Sequence, residues 1–417
     1  MLSDNYVYEC ETIDIPLLEY TQKGGIIMKK IISSLTALLV AVSTAVSLVA
    51  SASFNTNKDP NGDGSLDFAD NVYINQYLYG HHEPSALSQL DVDDNDVVST
   101  VDAQYVQLYC LGLLNSLSHI DESNRSYITR YYNVYNAQTG NYLRNYSLSV
   151  PTDDNSGAKS SGDETKSEGE RGIVGTTDDR ISDWSNRGTA KVMCNSSECS
   201  VGYLGSGFVV GPHTIATAAH VVFYTESNYA YKLSEILLFD ANQTSHSFTP
   251  VEYHVPVDFV NETGFVEDHN CDYALITVEE DVSDYMSFNL GSITDTAATN
   301  NLTVATVGFP HYIYSNIQGI GGPYGIEINN ATYHDERLST GSVTNTTANV
   351  IKFTADTSKG NSGGPIYAVE SLNGVTYHTV VGINVSQPTD FFASYNTGTR
   401  FNASILKFLK ANTNIQY

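Results

Sequence analysis

The chain has 417 residues, room for two or three domains, and its 47 Asp and Glu against 20 Lys and Arg give a formal net charge of -27. That balance excludes a general nucleic-acid binder, because little basic surface is available to neutralise phosphates. The 41% hydrophobic content and 29 tyrosines exclude a disordered composition and suit half-buried strands.

A secretory signal is expected over residues 28–52. Lys29 and Lys30 follow Met28, Ile31 to Val49 is mostly apolar, and Ala50-Ser51-Ala52 fits a small-residue cleavage site. The apolar run is long enough for a membrane anchor, the competing reading, but the cleavage site that follows at once favours removal. Residues 1–27 do not fit such a signal. Lys23-Gly24-Gly25 can be encoded by a purine-rich ribosome-binding sequence, so Met28 is the expected start and 1–27 an upstream extension. Cys10 lies in that extension, leaving Cys110, Cys194, Cys199 and Cys271. An exported chain can form disulfides, and Cys194 and Cys199 flank a loop short enough to bridge, but spacing alone leaves the pairing open.

Next comes an internal repeat. "DPNGDGSLDFAD" (59–70) and "DVDDNDVVSTVD" (91–102) place oxygen side chains at loop positions 1, 3, 5 and 12. These are Asp59, Asn61, Asp63 and Asp70 in the first copy, and Asp91, Asp93, Asn95 and Asp102 in the second. Calcium takes six to eight hard oxygen ligands, and a 12-residue loop of this spacing wraps one ion. Ser65 and Val97, at position 7, would add backbone carbonyls, and Asp67 is a further candidate ligand. Position 6 is Gly64 in the first loop but Asp96 in the second, which costs something in a left-handed turn and predicts a slightly weaker site. Asp70, Tyr73, Ile74, Tyr77 and Gly80 correspond to Asp102, Tyr105, Val106, Tyr109 and Gly112, so each loop should lead into a helix ended by glycine.

Duplicated loop–helix units of this length resemble the dockerin module of cellulosome-type assemblies, over roughly residues 55–118. The resemblance implies a small α-helical module with two Ca2+ sites that binds a cohesin domain on a scaffold protein. It also implies that positions 10 and 11 of each loop help choose the partner. These are Phe68-Ala69 and Thr100-Val101, and because the pairs differ, two equivalent binding orientations are not expected.

Residues 119–150 are tyrosine-rich and contain a hairpin signal around "NAQTG". Residues 151–172, rich in Ser, Gly and charge, read as a flexible, protease-accessible linker, so 119–172 is a candidate pro-segment.

From residue 173 onward, short apolar runs broken by turn residues predict an all-β body. Three stretches carry chemistry in the order histidine, aspartate, serine: "TAAH" ending at His220, "DYALI" starting at Asp272, and "GNSGGP" around Ser362. A hydroxyl becomes a useful nucleophile only with a base beside it and donors for the oxyanion. His220 is the candidate base, Asp272 its orienting partner, and the amides of Gly360 and Ser362 the candidate oxyanion hole. Together the stretches resemble trypsin-like serine proteases, which implies a mainly β, chymotrypsin-like double β-barrel domain over residues 173–417.

"IVGTTDDR", "VGPHTIATAAH", "TVGFP" and "NTGTRFN" resemble the bacterial glutamyl endopeptidases. That resemblance implies two six-stranded barrels, a C-terminal helix near 403–411 and cleavage after Glu, sometimes Asp. It also implies removal of a pro-segment just before Ile173, the new α-amine then helping to form the substrate pocket. The family's hydroxyl partner for the substrate carboxylate is kept as Thr357, but its histidine is replaced by Asn384, a neutral donor. No cysteine follows His220, so Cys271 is expected to keep a buried thiol. The expectation is a secreted, scaffold- or cell-surface-associated serine endopeptidase acting on proteins or peptides, with no membrane contact after signal cleavage. Catalysis would need no cofactor. The competing class is a scaffold-docked binding protein with an inactive protease fold.

Overall fold

The computed structural model describes residues 58–61, 68–78, 80, 87–93, 95–110, 127–151, 171–174, 178–182, 188–195, 203–261, 271–314, 327–329, 336–372, 375–386 and 394–413. The upstream extension, the expected signal, residues 152–170 of the expected linker, and Asp63, Ser65 and Asp67 lie outside the described residues. The chain divides into two units, Met1–Ser51, which is also outside them, and Ala52–Tyr417, which holds every element below. Among the described residues no helix is long and apolar enough to cross a membrane.

Runs rich in Val, Ile and Thr pack well on a pleated, buried surface, and they form two large sheets. Among the described residues the first has nine strands: β1 (Tyr127–Asn136), β2 (Tyr142–Pro151), β3 (Thr189–Cys194), β4 (Tyr203–Gly211), β5 (Thr214–Thr217), β6 (Leu233–Phe239), β7 (Ser245–Phe248), β8 (Pro250–Pro256) and β9 (Ala274–Val278). Their order is β7-β6-β3-β4-β5-β9-β8-β1-β2, antiparallel throughout.

The second sheet contains β10 (Asn289–Leu290), β11 (Thr303–Gly308), β12 (Arg337–Thr346), β13 (Val350–Phe353), β14 (Pro365–Leu372), β15 (Val375–Ser386) and β16 (Asn396–Arg400). The order is β10-β15-β14-β11-β12-β13-β16, and β16 also pairs with β15, so the strands from β11 to β16 close into a ring. The path of the first sheet stays open among the described residues, because the outer edge of β8 is taken by β1.

The tyrosine-rich stretch therefore has a place in the sheet that its composition did not suggest. The expected hairpin is present, with Gly140 N–H donating to Asn136 O at 2.9 Å across its turn. Five residues of β1, Tyr132 to Asn136, pair with Pro256 to Glu252 of β8. Tyr132 is wholly buried and stacks on Phe408 at 4.4 Å and on Tyr146 at 5.3 Å. Phe408 belongs to the C-terminal helix Ala403–Ala411, whose N-cap Asn402 accepts from Ile405 N–H at 3.0 Å.

The repeat forms two helices, Phe68–Leu78 and Thr100–Cys110, packed through Tyr73, Ile74, Tyr77, Tyr105 and Val106. This is the face that the repeated spacing predicted. Its core also takes in Ala403 of the C-terminal helix, and Tyr77 Oη lies 2.6 Å from Ser292 Oγ. The segment Val97–Val98 pairs with Ser292–Ile293. The loop–helix region is thus packed on the β body.

Phe408 is where helix, hairpin and sheet meet, since Tyr273 also touches it at 5.1 Å. Phe408→Ala should cost about 3–5 kcal/mol, read as a lower denaturation midpoint in urea with unchanged m-value. A change under about 1 kcal/mol would mean that the hairpin is not part of the core.

Candidate active site

The register of two neighbouring strands brings the first two candidates together. Ala274, the first residue of β9, pairs with Thr217, the last of β5. His220 comes three residues after Thr217, in the single helical turn Ala219–Val222, and Asp272 comes two residues before Ala274. Both leave the strand pair at the same end. Asp272 Oδ2 lies 2.8 Å from His220 Nδ1, and its Oδ1 accepts from the His220 backbone N–H at 3.0 Å. The aspartate is buried, and the imidazole is 38% exposed, so it is open to a reactant. Burial alone lowers the His220 pKa, but the charge and hydrogen bond of Asp272 outweigh it and hold the imidazole above its ordinary value.

Ser362 sits in the turn between Thr357–Ser358 and β14. The turn needs left-handed backbone at Gly360 (φ 98°) and Gly363 (φ 86°), and a Cβ on Gly363 would lie 2.1 Å from Ser206 O. That close approach puts the turn against Thr217 and Ala218, just ahead of His220. The amides of Gly360, which is buried, and Ser362, which is half-buried, make no hydrogen bond among the described residues. Ser362 Oγ donates to Val385 O at 3.4 Å, and no hydrogen bond joins it to His220.

Thr357 and Asn384 are both buried, and Thr357 Oγ1 and Asn384 Oδ1 lack a hydrogen-bond partner among the described residues. The Asn384 backbone clasps the Ser362 turn: its N–H donates to Gly364 O at 2.8 Å and its carbonyl accepts from Gly363 N–H at 2.7 Å. Lys359 is exposed.

Two groups that the sequence reading passed over support the turn. Ser206, wholly buried, donates to Gly360 O at 2.7 Å, accepts from Phe309 N–H at 2.9 Å, and its N–H donates to Ser362 O at 2.8 Å. The glycines on either side of it in "GSG" were the available signal. Asp356 accepts from the N–H groups of Val174 and Asp179 at 2.7 and 2.9 Å. Burial, helped by the charges of Asp179 and Asp178, outweighs the pull of the two amides and raises its carboxyl to about 7. Arg180 forks onto Asp178 and reaches Ser358 Oγ with another nitrogen. Cys194 is disulfide-bonded, and Cys199 lies outside the described residues. Cys110 and Cys271 keep thiols, Cys271 buried beside Asp272.

The second acidic loop is brought together away from this site. Carboxylate oxygens of Asp91, Asp93 and Asp102 lie within 4.8 Å of one another. Oxygens sharing one calcium at about 2.4 Å can be no more than about 5 Å apart, so this donor set fits the ion. Asn95 is placed in the same loop by its N–H bonds to Asp91 Oδ1 and Asp93 Oδ1, and Val97 is buried at the strand pairing. In the first loop Asp59 and Asp70 are buried, and Asn61 N–H donates to Asp70 Oδ1 at 3.0 Å.

Comparison with known proteins bears on the β body. Residues 205–373 match the family model of the trypsin-like peptidase domain. That span holds His220, Asp272 and Ser362 and stops before Asn384. Two solved structures are similar. One, described as a Glu endopeptidase in complex with MPD, is 20% identical with a TM-score of 0.42, covering 58% of this chain and all of its own. The other, described as HBP at atomic resolution, is 14% identical with a TM-score of 0.37, covering 59% of this chain and 98% of its own. No curated protein matches.

The His220–Asp272 contact makes a direct prediction. Followed by NMR, the His220 imidazole should titrate above its ordinary value, and Asp272→Asn should bring the midpoint down. A midpoint at or below the ordinary value in the unaltered protein would mean that the carboxylate does not govern this ring.

Proposed function

We propose that this protein is a secreted serine endopeptidase attached to a cohesin-bearing scaffold. The observation that carries the reading is the pairing of Asp272 with His220 beside a Ser362 turn whose two oxyanion amides are unengaged, inside the trypsin-like span. In this reading Ser362 Oγ attacks the peptide carbonyl as His220 takes its proton. The Gly360 and Ser362 amides hold the oxyanion, and His220 then protonates the leaving amine. Water, activated by the same imidazole, releases the acyl group and restores Ser362. Asp272 keeps the ring oriented and its charged form stable.

A preference for Glu or Asp before the cut bond rests on Thr357 and Asn384. The Thr357 hydroxyl can donate to a carboxylate, and the Asn384 amide can turn its NH2 toward one. Activation by cleavage before Ile173 is supported by the placement of that segment. Gly172 pairs with Thr357, and Val174 N–H donates to Asp356, so a new amine at Ile173 would arise within about 6 Å of the buried carboxylate. Because β1 is built into the first sheet, such a cut would leave the N-terminal part held by the strand pairing.

The two acidic loops are proposed as Ca2+ sites of a dockerin module. When bound, the ions would be held by Asp59, Asn61, Asp63, Ser65, Asp67 and Asp70 in one loop and by Asp91, Asp93, Asn95, Val97 and Asp102 in the other. Val101, half of the second partner-choosing pair, is 1% exposed, whereas Ala69 of the first pair is exposed. Cohesin would therefore engage the first repeat. Binding to a cohesin panel should vanish with EDTA, fall sharply with Ala69→Arg, and persist with Thr100→Arg. Loss with Thr100→Arg alone would reverse the assignment of the docking face.

The absence of a Ser362–His220 hydrogen bond keeps one other reading in play, a scaffold-docked binding protein without catalysis. A peptide library incubated with the purified protein, cuts being mapped by mass spectrometry, separates the two. Cleavage after Glu or Asp that drops about 10⁶-fold with Ser362→Ala is expected. Serine-dependent cuts elsewhere would keep the mechanism and remove the specificity. No cuts, even after the chain is cleaved just before Ile173 with the N-terminal part left paired in the sheet, would establish the binding protein.

A further inference from the structure

The second loop departs from the first where it meets the β body. Asp96, which takes the place of Gly64, has a left-handed backbone (φ 67°). Its carboxylate accepts from Thr294 Oγ1 at 2.9 Å, Thr296 Oγ1 at 2.6 Å and Asn300 Nδ2 at 2.6 Å, and its carbonyl accepts from Thr294 N–H at 3.0 Å. A glycine could make none of the three side-chain bonds. The next two residues, Val97 and Val98, continue as a strand paired with Ile293 and Ser292.

A carboxylate answers from the other direction. Glu370 lies on β14, eight residues beyond Ser362, and is 4% exposed. Its Oε1 accepts from Asn95 Nδ2 at 3.2 Å and from Ser99 Oγ at 3.0 Å, while Oε2 accepts from Thr379 Oγ1 on the paired strand β15. Asn95 and Ser99 are loop positions 5 and 9. An ionised carboxylate can only accept, so it requires the NH2 of Asn95 to face it. The Asn95 oxygen is thereby turned to the loop, where it takes Val97 N–H at 2.7 Å.

We propose that Glu370 is a positioning residue for the second calcium loop, coupling ion binding there to the stability of the strand that leaves the nucleophile turn. The inference rests on the calcium-loop reading above. Together with Asp93 Oδ2, which accepts from the same Nδ2 at 3.1 Å, Glu370 fixes the amide of one ligand residue, and a partner that orients a metal ligand typically governs metal affinity by 10- to 100-fold. Linkage then works both ways: a loop held ready by β14 binds its ion more tightly, and the bound ion steadies β14.

The test uses the full secreted chain with Ser362→Ala, so that self-cleavage does not intervene, and two-site calorimetry with Ca2+ alone. Glu370→Ala should weaken one of two sites 10- to 100-fold and leave the other unchanged, and Glu370→Gln, which keeps an acceptor, should recover most of that affinity. Two unchanged sites in Glu370→Ala would overturn the role of Glu370 while leaving the calcium reading intact. No Ca2+ binding in the parent chain would overturn both. If Glu370→Ala does not fold, hydrogen exchange on the parent chain decides. Amides of 365–372 should exchange at least tenfold more slowly with Ca2+ than with EDTA, and protection confined to 59–110 would overturn the coupling.

Discussion

The pairing of Thr217 with Ala274 fixes more of the site than any other single contact. It brings the ends of two buried strands to one place, so that an aspartate before one strand meets a histidine after the other. A slip of one residue would turn every side chain of β9 to the opposite face and carry Asp272 with it. The Ser362 turn is set against the same end, since Gly363 leaves only backbone clearance to Ser206 and lies beside Thr217. The second sheet reaches across as well: Thr399 Oγ1 donates to the Asp272 carbonyl at 3.1 Å. The orientation of Asp272 and His220 is thus a property of strand register, with the two sheets sharing the task.

Much of this was legible because it is local. His220, Asp272 and Ser362 each sit in a short stretch whose neighbours announce a turn or a strand end, and the two acidic loops carry their pattern within twelve residues. The apolar spacing behind each loop gave the helical face that became the repeat's core. What stayed hidden depends on contacts between distant residues. Ser206 and Asp356 look like ordinary strand and turn residues until Gly360, Ser362 and Val174 are placed around them. The tyrosine-rich hairpin could be read as a hairpin, but nothing local said that β8 would have an edge for it.

Asp96 shows how a local rule can be read correctly and its reason missed. The left-handed turn was expected at that position, and so was a cost for placing aspartate there. The carboxylate finds three donors on the β body, which offset that cost through bonds that a glycine cannot form. A departure from a repeat's pattern pointed to the surface where the repeat stops being independent.

The burial of Val97, Val98 and Tyr77 between the repeat and the β body has a practical side. Modules of this kind invite cut-and-paste engineering, in which residues 55–118 would be fused to a different cargo. Here the transplant would carry away an apolar underside and leave Ser292, Thr294 and Glu370 on the donor facing water. Both products would have lost part of a shared interior. A graft that respects this structure would move the first loop and its helix face by substitution, and leave the second loop where it is.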